Sequence, residues 1–302
     1  MTIAITGGTG FVGQMVLDVA EERRLRIRSL ARKTPPGRES VEWVQGSLSD
    51  NAALDRLVEG ADAVIHIAGL TNTPDPAQFE AANVTGTERL IAACKTAKAK
   101  RLVFVSSLSA RKPELSHYGA SKARAEELVM ASGLEWTIVR PPGVYGPRDI
   151  DYLDMFRTAK FGFVPLPPGG ASSIIHARDL AALLLDLVPA NALVLKKTFE
   201  PDDGREGGWS HKELAAAIGE AVGRKVFAPH LPEGVLKLAA SADRMLRGDK
   251  AKLTADRVGY MCHPNWVARS DRAVPASVWT PKISGEQGIK QTAEWYRREG
   301  WL

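Results

Sequence analysis

The chain is poor in cysteine, in aromatic residues and in any excess of one charge. Its two cysteines, Cys94 and Cys262, are 168 positions apart (262 − 94) and form no metal-ligand spacing. Cys94 sits on an apolar helical face and reads as a small core residue, and a reducing cytoplasm is the expected location. No window approaches the about 18 consecutive apolar residues of a membrane span, and no secretory signal precedes the first strand. Forty basic against 35 acidic residues leave a net charge of +5 over 302 residues. The basic residues are scattered, with Arg23, Arg24, Arg26, Arg28, Arg32 and Lys33 the densest run, so neither a nucleic-acid footprint nor a membrane partner is expected. Repeats and low-complexity stretches are absent, and no His, Cys, Asp and Glu spacing suggests a metal.

Glycine, in contrast, is placed with a purpose. Thr2 to Thr6 is a short apolar run that suits a buried strand, and Gly7-Gly-Thr-Gly10-Phe-Val-Gly13 follows at once. Val12, Val16, Val19 and Ala20 then recur at helical spacing. Strand, glycine turn and helix form the setting a dinucleotide site needs: glycines let the backbone approach a pyrophosphate, and the helix N-terminus offers free N–H groups. Gly7, Thr9, Gly10, Phe11, Val12 and Gly13 are the candidate cofactor contacts. The second strand, about Leu25 to Leu30, is followed by Ala31-Arg32-Lys33, where an NAD site would carry an acid for the ribose 2′-hydroxyl. Arg32 and Lys33 could instead meet a 2′-phosphate, which favours NADP(H) over NAD(H).

Strands are expected at Val41–Val44, Ala63–Ile67, Leu102–Val105 and Trp136–Arg140. A long helix is expected over about Ala77 to Lys98 and another around Tyr118. This alternation implies α/β, a Rossmann-type doubly wound parallel sheet with ligands at the carboxyl ends of its strands, where Gly7, Ala68, Ser107 and Arg140 fall. Tyr118 and Lys122 are four residues apart, hence on one helical face. A tyrosine with a free pKa near 10 needs about 4 kcal/mol to become a base near pH 7. One ammonium at about 4 Å supplies roughly that much at an effective dielectric near 20.

Beyond Pro147 the rhythm changes. Residues 150–170 and 201–302 are expected to form a smaller, mixed substrate-binding lobe, and residues 1–149 with 171–200 the dinucleotide-binding domain. Phe161–Gly170 reads as a loop over a cleft, Ser210-His-Lys-Glu213 as a capping box opening a helix, and residues 234–262 as helical with a break near Gly248. Arg140, Tyr145, Arg148, Tyr152, Arg157 and His176 are substrate-contact candidates by position. His66, inside an apolar strand, reads as a satisfied core histidine.

The ordered motifs Thr6–Gly13, His66-Ile-Ala-Gly69, Asn83-Val-Thr-Gly-Thr87, Val105-Ser-Ser107, Tyr118-x-x-x-Lys122, Arg140–Pro147, Ile175–Leu180, Trp279-Thr-Pro281 and Ala293–Tyr296 with Gly300-Trp301 resemble the extended short-chain dehydrogenase/reductase family, also called the NAD-dependent epimerase/dehydratase family. The resemblance covers nearly the whole chain. It implies Tyr118 as catalytic acid/base, Lys122 as the residue that holds the nicotinamide ribose and lowers the phenol pKa, Ser107 as the hydroxyl that orients substrate, and Asn83 as a supporting asparagine. It also implies a homodimer through two helices. The chain departs from the family in a short Ser107–Tyr118 spacing of 11 residues (118 − 107), which leaves Ser109 as an alternative serine, in Ser47 replacing the usual acid after the third strand although Asp50 remains, in the missing acid after the second strand, and in a less acidic His176-Ala-Arg-Asp179, whose Asp179 is expected to hold the first turn of a helix. The expected activity is an NAD(P)-dependent oxidoreductase acting on a secondary alcohol or ketone. The alternatives are a nucleotide-sugar epimerase or dehydratase with kept NAD, and a non-catalytic dinucleotide-binding subunit or redox sensor.

Overall fold

The computed structural model describes residues 1–302, apart from the Lys250 side chain. In chain order, β1 (Thr2–Thr6), α1 (Phe11–Glu22), β2 (Arg26–Ala31), β3 (Val41–Gln45), α2 (Asn51–Val58) and β4 (Ala63–His66) come first. Next come α3 (Pro76–Phe79), a π-helical stretch (Glu80–Thr85), α4 (Gly86–Thr96), β5 (Arg101–Val105), α5 (His117–Ala131) and β6 (Glu135–Val139). Then follow β7 (Gly143–Tyr145), α6 (Leu153–Ala159), β8 (Ala171–Ser172), β9 (Ile174–His176), α7 (Ala177–Asp186) and β10 (Lys197–Phe199). The chain ends with β11 (Trp209–Ser210), α8 (His211–Ala221), α9 (Glu233–Arg247), α10 (Ala255–Met261), β12 (Asn265–Trp266) and α11 (Gly285–Arg298).

The main sheet has seven strands in the order β10-β6-β5-β4-β1-β2-β3, all pairs parallel. Its central strands are buried on both faces, which is why Ile3–Ile5, Ala63–Ile65 and Leu102–Val105 read as unbroken apolar runs rather than alternating ones. One face packs on α1 and α7 through Val16, Val19, Leu180 and Leu184. The other packs on α2, α4 and α5 through Leu54, Leu57, Leu90 and Val129, with the fully buried Cys94 among them. Strand order reverses between β1 and β4, so the crevice beyond their carboxyl ends is the topological switch point where such sheets bind ligands.

The remaining strands form a three-stranded sheet (β11-β8-β12) and a two-stranded one (β7-β9). Around them Tyr145, Phe156, Trp209, Ile218 and Tyr296 make a second core. The capping box at Ser210 and Glu213 is present and opens α8. The helical break expected near Gly248 separates α9 from α10, which pack on each other through Leu236, Ala240 and Val258.

Three local expectations are corrected. The helix expected over Ala77 to Lys98 is interrupted by the π-helical turn at Glu80–Thr85, where Asn83 bonds outward to a neighbouring loop instead of sitting in a regular helix. The Phe161–Gly170 segment is not a free loop: Val164 and Leu166 are buried in the second core and pair with Phe227 and Pro229. Asp179 accepts from the Lys282 and Ile283 amides, anchoring the C-terminal tail rather than its own helix turn.

Candidate active site

The glycine turn is built by contact, not only by flexibility. Gly7 has φ +81°, and a Cβ there would lie 2.6 Å from the Ala68 nitrogen, so the turn presses on the end of β4. A Cβ on Gly13 would lie 2.0 Å from the Gly7 carbonyl oxygen. Gly10 caps α1 with no side-chain bond, and the first turn of α1 carries no acid. The result is a helix N-terminus with free amides facing a backbone cradle, the donor set a pyrophosphate requires. Thr9, Phe11 and Val12 line the same turn, with Thr9 exposed and the other two partly buried. Arg32 and Lys33 follow the last residue of β2, and both side chains are exposed. Asp50 caps α2 through the Ala53 amide.

At the carboxyl end of β5, Ser107 accepts a hydrogen bond from the Ser109 amide, and its hydroxyl lies near enough to the Tyr118 phenol to favour the ionised form. Ser109 is buried and its carbonyl packs against Gly119. Helix α5 opens on Ser116, whose hydroxyl accepts from the Gly119 amide 2.9 Å away. Asp256 of α10 adds acceptors to the same turn, 2.5 Å from the His117 amide and 3.3 Å from the Tyr118 amide. The Tyr118 ring lies between Phe79 and Tyr260, at centroid distances of 5.9 Å and 6.1 Å. Its phenol is pushed up to about 12, chiefly by burial; Ser107 opposes the rise, and the nearby Tyr260 and Asp151 add to it.

Lys122 is 4% exposed. Its Nζ donates to the Val105 carbonyl at 2.7 Å and lies 4.6 Å from the centre of the Phe104 ring. The expected transfer of charge stabilisation to Tyr118 is therefore not made in this geometry. The ammonium is aimed at the strand end, and the phenol stays protonated at neutral pH. Burial lowers Lys122 to about 8, against the pull of Glu126. Glu126, one turn further along α5, is buried and accepts from the Ser106 hydroxyl and, through both oxygens, from Arg140 at 2.9 and 2.5 Å.

Asn83 donates to the Leu70 carbonyl and the Ser121 hydroxyl, both at 2.9 Å, and accepts from the Leu70 amide at 2.7 Å. It ties the loop after β4 to α5, and its Oδ1 and the Lys122 Nζ both border Gly69. His66 is fully buried, bonded to Thr6 and Thr87 at 2.5 and 2.9 Å, and lowered by burial to about 3, so it is a neutral core residue.

Asn83 and Lys122 thus lie beside Gly69, and Gly7 presses on Ala68 at the adjoining strand ends. Most of the positional candidates for substrate contact are committed elsewhere. Arg140 is spent on Glu126, and Arg148 on Asp18 at 2.6 Å. Arg157 bonds the Trp301 carbonyl. Tyr145 is buried in the second core, and His176 caps α7 with Nδ1. Tyr152 packs on Tyr145 and its hydroxyl abuts Gly143. Tyr260, Asp256, Phe79 and Glu126 complete the site and were not singled out from the sequence. Glu126 alone had a local signal, being four residues beyond Lys122 on the same helical face.

The sequence pattern of the NAD(P)H-binding family matches residues 7–188. The chain is 34% identical to a ceramide reductase from Caulobacter vibrioides, over 99% of this chain and 96% of that protein. It is 28% identical to a 2-alkyl-3-oxoalkanoate reductase from Stenotrophomonas maltophilia, over 96% and 98%. Among solved structures, MoeE5 in complex with UDP-glucose and NAD superposes with a TM-score of 0.76 at 20% identity, covering 99% of each chain, which bears on the fold.

Proposed function

Because the chain belongs to the extended short-chain dehydrogenase/reductase family, with an NAD(P)H-binding domain over residues 7–188, we propose that it is a reductase that converts an apolar, lipid-like ketone to a secondary alcohol. Its relatives are enzymes, named as reductases, a dehydrogenase and an epimerase. The observation that carries the direction is that two relatives matched over nearly their full length are named as reductases, and the Tyr118 phenol is available as a proton donor at neutral pH.

The cradle of Gly7, Gly10 and Gly13 and the open N-terminus of α1 fit the cofactor's pyrophosphate, and Arg32 and Lys33 fit a 2′-phosphate. When bound, the nicotinamide supplies the hydride. Ser107 orients the carbonyl oxygen by hydrogen bonding. Tyr118 donates its proton to that oxygen as charge develops on it, so the carbonyl carbon gains a hydride and the oxygen a proton. The Lys122 ammonium, at the carboxyl end of β5, would hold the nicotinamide ribose. Asn83 holds the loop at Gly69 against α5. Phe79 and Tyr260 give the Tyr118 surroundings an aromatic lining, and two of the relatives matched over nearly their full length are named for a ceramide and a 2-alkyl-3-oxoalkanoate, both carrying alkyl chains.

Incubation of the protein with NADPH and a long-chain 3-oxo amide or 3-oxoacid is expected to consume the reduced cofactor and yield the hydroxy product. Bound NAD with no net cofactor consumption would favour the epimerase reading instead. Arg32→Ala with Lys33→Ala is expected to lower kcat/KM with NADPH by about tenfold or more, the loss of one to two charge-assisted bonds, and to leave NADH values near wild type. An enzyme that already prefers NADH would overturn the assignment. The pH profile should be level through neutrality and fall above about pH 8, where Lys122 loses the proton and charge that would hold the nicotinamide ribose. A profile still rising at pH 9 would contradict the donor role of Tyr118.

A further inference from the structure

Ser107 opens a single 3₁₀ turn, Leu108–Arg111. Turns of this kind have poorer hydrogen-bond geometry than an α-helix, and this one is fastened at both ends by polar and charged side chains. At its entry, the Ser106 hydroxyl donates to Glu126, which holds Arg140 through both oxygens. At its exit, Arg111 donates to Glu200 at 3.1 Å, to the Val267 carbonyl at 2.9 Å and to the Asn265 carbonyl at 3.3 Å. Glu200 directly follows β10 and is 2% exposed. Its second oxygen lies 3.6 Å from Arg140. Ser106, Glu126, Arg140, Glu200 and Arg111 therefore form a chain of polar contacts that leaves the segment at one end and returns to it at the other. Two buried carboxylates and two guanidiniums balance within it. A third guanidinium, Arg269, stands 3.7 Å from Glu200 and 3.7 Å from Asp271.

We propose that Arg111 and Glu200 are positioning residues for Ser107, fixing the turn that aims its hydroxyl at the substrate carbonyl. The inference rests on the reading of Ser107 as the group that orients that oxygen. The main chain holds the two ends of the turn unequally. At the entry, the Ser106 and Leu108 amides donate to the Val139 and Pro141 carbonyls, at 2.7 and 3.1 Å, so this end is tied to β6 and the residues after it. The Ala110 and Lys112 amides donate instead to the Ser107 and Ser109 carbonyls, inside the turn itself. The polar tie between the exit and the second lobe is the Arg111 side chain, whose guanidinium also lies 5.6 Å from the centre of the Trp266 ring.

Ser107 senses the shape of the whole turn, because its hydroxyl accepts from the Ser109 amide at 3.2 Å. A shift of Arg111 moves that amide, and the hydroxyl follows. Glu200 sets where the guanidinium sits: without the carboxylate, Arg111, Arg140 and Arg269 repel one another with no charge between them. The Ser107 hydroxyl also opposes the rise of the Tyr118 phenol. Orientation of the carbonyl and readiness of the acid thus depend on one turn, and a misplacement of about 1 Å in such a group can cost up to about 10²-fold in rate.

The test compares Arg111→Met in the wild-type and Ser107→Ala backgrounds, with NADPH and a long-chain 3-oxo amide. In the wild type it is expected to lower kcat about tenfold with KM for NADPH unchanged, and Arg111→Lys is expected to recover part of the loss. In the Ser107→Ala background the same substitution is expected to cost less than about twofold, because the group it positions is gone. Glu200→Gln is a second variant with the same expected pattern, and it serves where Arg111→Met does not fold. Equal fold-losses in both backgrounds, the result of a merely structural arginine, overturn the proposal, as does no loss in the wild type. A crystal structure of Arg111→Met reads the same point without turnover. Ser107 Oγ is expected to lose the bond from the Ser109 amide, and an unmoved Ser107 overturns the proposal even where no ketone is reduced. Ser107→Ala with wild-type kcat would strike the reading of Ser107 itself, and the proposal with it.

Discussion

Tyr118→Phe should lower turnover by about 10²–10⁴-fold, the range of a lost general acid, with NADPH affinity changed little. The argument is geometric before it is electrostatic. The ring is fixed on three sides, by Phe79, by Tyr260 and by the first turn of α5, so a phenylalanine fits the same space and removes only the hydroxyl. The cofactor cradle at Gly7, Gly10 and Gly13 belongs to other strand ends and is untouched. Single-turnover rates together with a fluorescence titration of NADPH separate the two effects. Turnover within a few-fold of wild type would remove Tyr118 from the reaction.

Glu126→Ala carries the largest expected loss of stability, about 3 kcal/mol, at the lower end of the range for removing one member of a buried ion pair. Glu126 is 2% exposed and holds Arg140 through two bonds. Glu200, with an oxygen 3.6 Å from Arg140, offsets part of the loss, which sets the lower end. The Ser106 hydroxyl also loses its acceptor, next to Ser107. Glu126→Gln keeps the shape and one acceptor and should cost less. Chemical denaturation of the two variants checks the order; equal midpoints for wild type and Glu126→Ala would show that the network contributes nothing.

Much of this site was legible because its parts follow one another in the chain. The strand, the glycines and α1 are adjacent in sequence, and their roles are set by backbone geometry that few residue types permit. Tyr118 and Lys122 share a helix face, and Ser107 stands where a parallel strand must end. What escaped was whatever needed distance. Asp256 and Tyr260 meet Tyr118 across some 140 positions (256 − 118, 260 − 118), from a helix whose own pattern records only that it packs on α9. Arg140 looked like a ligand-facing residue because it ends a strand; its partner, Glu126, looked like one more polar residue on a helix. Only their burial together shows that each neutralises the other. The phenol's electrostatics were misjudged for a related reason. The i,i+4 spacing fixes which face a lysine shares, not where a four-carbon side chain ends, and Lys122 ends on a strand carbonyl.

Asp256 gives the two lobes a shared boundary condition. The first turn of the catalytic helix is completed partly by its own Ser116 and partly by a carboxylate from the far lobe. Separation of the lobes leaves the His117 and Tyr118 amides short of an acceptor, and the turn that aims the phenol loosens with them. The orientation of Tyr118 is thus tied to a carboxylate some 138 positions away (256 − 118), not to its own helix alone.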